Sequence, residues 1–509
     1  MARIAVIGAG MGAMAAAARL AVAGHRVTVY ERTQTYGGAV RRFERDGFAF
    51  DTGPALLPLP AVYRDLFVKT GKEPLEDRVE LVQVDPAARH LFADGTECAL
   101  PNASRAGVVA ALDDALGAGA GQRWGDFLVR AREAWDRTRR PLLEEPLWPD
   151  WQVLAEREPY PAVPHKRLLR TRRAATLAEI GAWELRDPRL AALLDSHALA
   201  YGLDPRTAPA SAAVLPYMEH AFGVWYVRGG LRELARAVYE RCTARRVEFV
   251  FGTEVARVAE KDGRVTGVEF ADGGGAEAEF VVTAAAPGTP GGPGAAPDGA
   301  GAVPPRRGLP SRLTVLLALR GARPDGTAHR TVVHAPDPAQ EFEALFGVGG
   351  LGGADGTGLP ARPTVVVTRP GDPALVPDPE HEAVTLTATV PAQGSAAATG
   401  PQDLAAHADR MITAAARAVP GLRDRLLWHE IRTPADIARE TGAPGGSVPA
   451  PALAAGRGRL LHPANSTGTE GLFAVGGWAH PGGGLPHAGM SGALVAGLVV
   501  EGPDFRGSQ

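Results

Sequence analysis

The sequence predicts an α/β fold in two parts: a nucleotide-binding unit around a parallel sheet, and a second part in which a mixed β-sheet carries a helical cap. Three observations predict it. The first is the opening passage, where the apolar strand Ala2-Arg3-Ile4-Ala5-Val6-Ile7 runs into Gly8-Ala9-Gly10-Met11-Gly12-Ala13 and an alanine-rich helix that ends near Gly24. A second strand, Arg26-Val27-Thr28-Val29-Tyr30, follows with Glu31 at its end. The second observation is another strand, glycine turn and small-residue helix at the far end of the chain, over about 471–500. The third is the contrast between a helical stretch over about 103–220 and the β-patterned runs 313–319, 364–368 and 384–390.

Strand, glycines, helix, strand and acid in that order form the Rossmann-type βαβ fingerprint of a dinucleotide site. Gly8 permits the tight turn and Gly10 lets the backbone approach a pyrophosphate. Gly12 completes the loop, and Ala13 allows close contact of helix and strand. The N–H groups that open the helix then face the phosphates, while Glu31 accepts hydrogen bonds from ribose hydroxyls. Glycine spacing alone is not specific. Gly347-Val348-Gly349-Gly350-Leu351-Gly352 fits the same pattern but has no strand before it and no helix after it, so it reads as a flexible loop.

At 509 residues the chain is too long for one core, and 45% apolar with 22% charged residues is ordinary for a soluble globular protein. A net charge of −3 gives no electrostatic reason to expect nucleic acid as a partner. Cys98 and Cys242 match no metal or redox spacing, and reduced cytoplasmic thiols are the simple reading. The glycines at the N-terminus sit where a nucleotide turn needs them, which argues against a signal peptide. No apolar run is long enough to span a membrane. His-x-x-x-His and paired Cys-x-x-Cys spacings are absent, so no metal is expected, and Gly489-Met490-Ser491-Gly492 lacks the spacing of a nucleophile elbow.

Taken in order, the chain continues from Glu31-Arg32 to a Gly37-Gly38 pair, which allows another close backbone approach to a ligand. Next comes Asp46-Gly47-Phe48-Ala49-Phe50-Asp51-Thr52-Gly53-Pro54. A proline-interrupted helix is expected over 56–71, then paired strands at 79–84 and 89–92 with Asp94-Gly95 in the turn beyond. The helical stretch holds Trp124, Trp135, Trp148, Trp151 and Trp183, and the basic run Lys166 to Arg173. That run is either a site for anionic lipid or a solvated helix face. Tyr217, Trp225 and Tyr226 fall where the helical region rejoins the nucleotide unit, and they either line a substrate pocket between the two parts or pack as core. Residues 231–244 form a helix, 247–283 a set of strands, and 286–310 a Pro/Gly/Ala-rich crossing. Thr385, Thr387 and Thr389 alternate, giving the later sheet one polar face. The discontinuous nucleotide unit is then 1–70, 225–290 and 460–509. The substrate part is 71–224 and 310–459, its cap being about 103–220.

The final passage reads Gly476-Gly477, then His480-Pro481-Gly482-Gly483-Gly484-Leu485-Pro486, then a helix from His487. A glycine turn at a helix N-terminus supplies backbone N–H groups to a developing anion without a protonatable side chain. His480 is either catalytic or a turn residue that fixes the loop, and His487 is a candidate for touching substrate.

Glu31-Arg32, Gly37-Gly38, the Gly-Phe-x-Phe-Asp-x-Gly-Pro run and the His-Pro-Gly-x-Gly-x-Pro turn together resemble glutathione-reductase-type flavoproteins. More narrowly, they resemble the bacterial phytoene dehydrogenase (carotenoid desaturase) family. The resemblance implies FAD as cofactor, held by Gly8, Gly10, Gly12, Ala13, Glu31, Arg32, Gly37, Gly38, Gly53, Pro54, the backbone at Val255, and Gly477, Gly483, Gly484, Leu485 and Pro486. It implies desaturation of a long apolar polyene by hydride transfer to flavin, with oxygen or a quinone as electron acceptor. Ala284-Ala285-Ala286 departs from the family's usual Ser-Asn-Ala. Relatives that act on other apolar molecules keep open a tailoring oxidase, saturase or isomerase of a non-carotenoid metabolite, and a flavin-binding protein without turnover is a third reading. The expected location is cytoplasmic, with peripheral membrane contact open.

Overall fold

The computed structural model describes residues 1–148, 150–164, 171–294, 310–347, 358–394 and 399–507. Its organising element is a five-stranded sheet in the order Glu248–Phe251, Arg26–Glu31, Arg3–Ile7, Phe280–Thr283, Leu472–Ala474. Every neighbouring pair is parallel, so three distant parts of the chain share one sheet. Parallel sheets need cover on both faces. On one face Val6, Val29 and Val282 meet the helix Met11–Val22 and its neighbours. On the other, Ala5, Ile7, Val281 and Leu472 pack on an antiparallel three-stranded layer formed by Val255–Lys261, Arg264–Phe270 and Gly275–Glu277.

The first helix and the last, Leu485–Glu501, lie against each other through small residues. A Cβ on Gly492 would come within 2.6 Å of the Gly12 carbonyl oxygen, and one on Gly12 within 2.8 Å of the Ala488 carbonyl oxygen. This close approach fixes the C-terminal turn beside the N-terminal glycine loop.

A second, seven-stranded sheet runs Leu426–Arg432, Pro310–Arg320, His381–Pro391, Val365–Thr368, Arg330–Val333, Ala88–Leu91, Glu97–Leu100. Leu313, Val315, Leu317, Val384 and Leu386 bury one face under the helix Pro401–Ala415. From the other face Leu316 and Ala318 pack on Phe48 and Phe50, while Thr385, Thr387 and Thr389 are half-buried there, giving the polar face their alternation predicts. The cap helices Arg105–Leu116, Ala120–Arg139, Pro188–Ala200 and Val214–Phe222 enclose a third core containing Trp124, Trp135, Leu193 and Met218.

Three expectations need correction or restriction. The strands near 79–84 and 89–92 do not pair with each other. Leu81–Gln83 pairs with Val224–Val227, whereas Ala88–Leu91 forms a hairpin around Asp94-Gly95 with Glu97–Leu100. The turn chemistry selected the nearer partner. The crossing at 286–310 begins as packed structure: Gly291 donates to the Ala256 carbonyl, and Thr283 Oγ1 donates to the Gly291 carbonyl at 2.7 Å. Residues 295–309 of that crossing, 348–352 of the second glycine pattern and 165–170 of the basic run lie outside the described residues. Among the described residues no helix is long and apolar enough to cross a membrane.

Candidate functional site

The N-terminal glycines build a backbone cradle. Gly8 has φ +90°, in the left-handed region, and its N–H donates to the Tyr30 carbonyl at 2.8 Å. A Cβ there would sit 3.5 Å from the Ala284 side chain, so the small-residue run after the fourth strand of the sheet lies directly against this turn. Gly10 caps the first helix without any side-chain hydrogen bond, no acidic residue occupies the first turn, and Gly12 and Ala13 are buried. Among the described residues the N–H groups of Gly12 and Ala13 have no acceptor. Uncapped donors at a buried helix start are the chemistry that a pyrophosphate satisfies.

The Gly37-Gly38 pair closes on protein rather than standing free. Gly37 N–H donates to the Ala9 carbonyl at 2.7 Å, and a Cβ on Gly38 would lie 2.9 Å from Gly10 Cα. Gly53 packs on the Ala39 carbonyl with the same intolerance of a side chain, and Pro54 is exposed beyond it.

Glu31 is 6% exposed; its carboxylate accepts from Ala9 N–H at 2.8 Å and from Thr33 N–H at 2.8 Å. It therefore ties the glycine turn to the end of the second strand, with lone pairs remaining for a ribose. Arg32 corrects the expectation that it faces the cofactor. It is exposed, and its guanidinium donates to the carbonyls of Ala438 and Arg439 at the end of the helix Pro434–Thr441.

Two other arginines brace the loop. Arg41 donates to the Gly38 carbonyl at 2.9 Å and to Thr33 Oγ1 at 2.9 Å. Arg232 donates to the Tyr36 and Val40 carbonyls and lies over the Tyr36 ring, its Cζ 4.0 Å from the centroid. Burial, reinforced by repulsion among Arg41, Arg232 and Arg32, lowers the Arg41 pKa, and Glu440 and Glu31 oppose this. A half-buried pair of cations beside uncapped helix donors suits an anion. Asp51 completes the frame by accepting from the N–H groups of Leu231 and Arg232. Burial lifts its pKa to about 6. Arg41 and Arg232 lie outside the residues expected at the site from sequence; the available signal is an arginine three positions after a glycine pair.

Val255 is buried against Ile7 at the start of its strand, and Thr253 N–H donates to the Glu31 carbonyl just before it. This puts Val255 at the edge of the sheet where Glu31 ends.

At the other end of the cradle the C-terminal turn is held by Asn465 and Ser491. Asn465 Nδ2 donates to the carbonyls of Ala474 and His480, and Ser491 Oγ accepts from Gly476 N–H at 2.9 Å. Gly477 and Gly483 are glycines because Pro449 occupies the space of their side chains. The N–H groups of Gly482 and Gly483 are committed to the carbonyls of Ala479 and Ala450. Gly484 caps the last helix at φ +110° without a side-chain bond, with Leu485 and Pro486 in the first turn. Among the described residues the N–H groups of Gly484 and Leu485 have no acceptor, so both remain for a ligand.

The two histidines differ. His480 is fully buried and its Nε2 lies 3.0 Å from the Glu145 carbonyl, so it holds the turn to the cap. Burial pulls its pKa down to about 4. His487 is 6% exposed, its Nδ1 is buried without a partner, and burial lowers its pKa to about 3. Its ring lies over Gly484, with Nδ1 3.2 Å from where a Cβ would stand, and Tyr201 flanks the same glycine at 3.9 Å. His487 also lines a cavity of about 20 Å³ whose walls are mainly Trp135, Leu142, Leu215, Met218 and Leu453.

Tyr217, Trp225 and Tyr226 do not converge. Tyr217 packs with Trp135 and Phe222 in the cap. Trp225 and Tyr226 are neighbours on one strand and so face opposite sides. Trp225 meets the nucleotide-binding core, whereas the Tyr226 hydroxyl donates to Asp372 at 2.7 Å beside His329. The shared-pocket expectation fails because adjacency in sequence is not adjacency on a strand face.

Residues 14–304 match the model of the family described as flavin containing amine oxidoreductase. The hydroxyneurosporene desaturase of Rhodobacter capsulatus is 30% identical over 97% of this chain and 96% of its own length. The 4,4'-diapolycopene oxygenase of a Methylomonas species is 28% identical over 98% of each chain. Among solved structures, an oxidoreductase from Methanosarcina mazei superposes with a TM-score of 0.63 at 16% identity, covering 97% of this chain and 99% of its own. The uncapped helix donors, the buried acid and the two braced arginines fit FAD. The chain belongs to the flavin-containing amine oxidoreductase family, as a carotenoid desaturase-like, FAD-dependent oxidoreductase.

Proposed function

We propose that the protein desaturates a long apolar polyene of the carotenoid-precursor type. The observation that carries this reading is the apolar space between the cap helices and His487, whose ring also lies over Gly484 of the C-terminal turn. FAD bound in the cradle supplies a two-electron acceptor for the hydride that leaves carbon. The chain's own part is binding and electrostatics. Gly12 and Ala13 N–H groups with Arg41 and Arg232 would hold the pyrophosphate, and Glu31 the ribose. Gly484 and Leu485 N–H groups at the positive end of the last helix favour negative charge in the cofactor's redox end. Walls of Trp135, Leu215 and Met218 exclude water and orient an apolar chain. About 20 Å³ is room for roughly one water, so a polyene enters by parting the cap from the C-terminal turn.

The FAD-loaded protein, mixed anaerobically with acyclic polyenes in micelles, should lose its oxidised flavin absorbance and yield products with two hydrogens fewer. Absence of bleaching with every polyene overturns the reading. Products that gain oxygen, formed only in air, would favour oxygenation instead, a second reading motivated by the relative named 4,4'-diapolycopene oxygenase. We propose oxygen or a quinone as the final electron acceptor, which reoxidation of the reduced protein by each would distinguish. Contact with a membrane surface is part of the same reading for a protein placed in the cytoplasm. Trp151 and Val153 are both exposed at the start of the short helix Gln152–Glu156, and co-sedimentation with anionic liposomes tests it.

A further inference from the structure

Among the described residues lining the cap cavity, one side-chain polar atom is both fully buried and without a partner. Thr138 Oγ1 donates to the Ala134 carbonyl at 2.7 Å, and Ser211 Oγ donates to the Ala454 carbonyl at 2.7 Å. Arg139 pairs with Glu144 at 3.2 Å. The unpartnered atom is Nδ1 of His487, a residue that lines the cavity. The histidine sits on the first turn of the last helix, two positions after Leu485, so it is held rigidly where the cavity meets the cofactor turn. Leaving a buried polar group unsatisfied costs about 1–3 kcal/mol. A pure hydrocarbon in this cavity would seal that cost in, because it excludes water and offers nothing in return.

We propose that the substrate carries a neutral oxygen function, a hydroxyl or a carbonyl, which His487 recognises from inside the cap cavity. The inference rests on the polyene reading above and narrows it to oxygen-bearing polyenes. The group is neutral because the cavity holds the imidazole uncharged: burial comes first among the causes that keep it so, and the nearby His462 and His480 add to it. A carboxylate would find no counter-ion at this ring. A hydroxyl, by contrast, both donates and accepts, and so pairs with either tautomer. His487 is thus a specificity-determining residue rather than part of the machinery for moving electrons.

The test is equilibrium binding to the FAD-loaded protein, read by quenching of tryptophan fluorescence, Trp135 being in the cavity wall. The probes are an acyclic polyene hydrocarbon and its hydroxylated counterpart of equal length. The wild type should bind the hydroxylated probe about three- to tenfold more tightly, the worth of one neutral hydrogen bond. His487→Leu should abolish that preference and bind the hydrocarbon at least as well as the wild type does. His487→Asn, which keeps a hydrogen-bonding group and serves if the leucine variant folds poorly, should retain part of the preference. A preference that survives in His487→Leu overturns the proposal. So does loss of FAD or a shifted flavin reduction potential in either variant, which would assign the imidazole to the cofactor. If neither probe binds the wild type, the polyene reading itself falls, and this inference with it.

Discussion

Replacing Gly492 by alanine separates two opposed effects in one measurement. The residue lies inside the last helix, where glycine to alanine ordinarily adds about 1 kcal/mol of stability through propensity. Here the added Cβ would stand 2.6 Å from the Gly12 carbonyl oxygen, 2.8 Å from Ala15 Cβ and 2.8 Å from Ala16 N. None of these is the far end of a flexible side chain. Ordinary carbon–oxygen contacts run roughly 3.3–3.6 Å, so the two helices must separate by roughly 0.7–1 Å. Overpacking of this kind costs about 1–3 kcal/mol, leaving a net loss of about 1 kcal/mol. The apparent Tm should fall by about 2 °C in thermal melts of the FAD-loaded protein. The last helix also presents Gly484 and Leu485, so the variant should be purified with a smaller fraction of bound FAD. Val500→Ala, exposed near the end of the same helix, serves as the control and should retain wild-type FAD. A rise in Tm with full FAD content would show that the helices are not in contact at this point and would refute the reasoning.

Two further outcomes follow from buried groups. His480→Leu removes the bond to the Glu145 carbonyl and should cost about 1–3 kcal/mol in stability while FAD-saturated turnover stays within a few-fold of wild type. A loss of turnover well beyond tenfold with unchanged stability would return His480 to the chemistry. Asp195 has its pKa raised to about 7 by burial, with Glu341 and Asp204 adding repulsion. Its contribution to stability is therefore present below the unfolded value near 4 and is lost as pH rises through about 7. Asp195→Asn should match the wild type near pH 4 and become progressively more stable than it between pH 5 and 8. A melting difference that does not change over that interval would contradict this.

The ends of the chain were legible because each packs its information into a contiguous run. Strand, glycines and helix are local, and the tolerance of Gly8 or Gly484 for positive φ can be anticipated from residue type alone. The acid at position 31 could be placed because its distance from the glycines is set by one helix and one strand. What stayed hidden depends on side-chain direction across long separations. Arg32 and Arg41 look equally suited to a phosphate in sequence, and both reach the end of the helix near residue 439, yet only Arg41 also donates back to Gly38 in the glycine loop. Nothing local distinguishes them. Trp225 and Tyr226 are adjacent in sequence, yet the strand that carries them points them to opposite faces. His487 could be flagged as unusual, but its lack of a partner becomes visible only when the cap helices close over it.

The five-stranded sheet carries a consequence for how the protein is made. Its edge strand, Leu472–Ala474, hydrogen-bonds to Phe280–Thr283, and the helix beyond it leans on residues near the start of the chain. During synthesis the strand Phe280–Thr283 therefore waits with an unpaired edge while five of the second sheet's seven strands, from Pro310–Arg320 to Leu426–Arg432, are translated. The cofactor cradle exists in that interval only as a half, holding phosphate donors but lacking Gly484 and Leu485. FAD capture is thus a late event that seals the fold, and a ribosome-bound chain stopped before Leu472 should remain a client of chaperones rather than a weak flavoprotein.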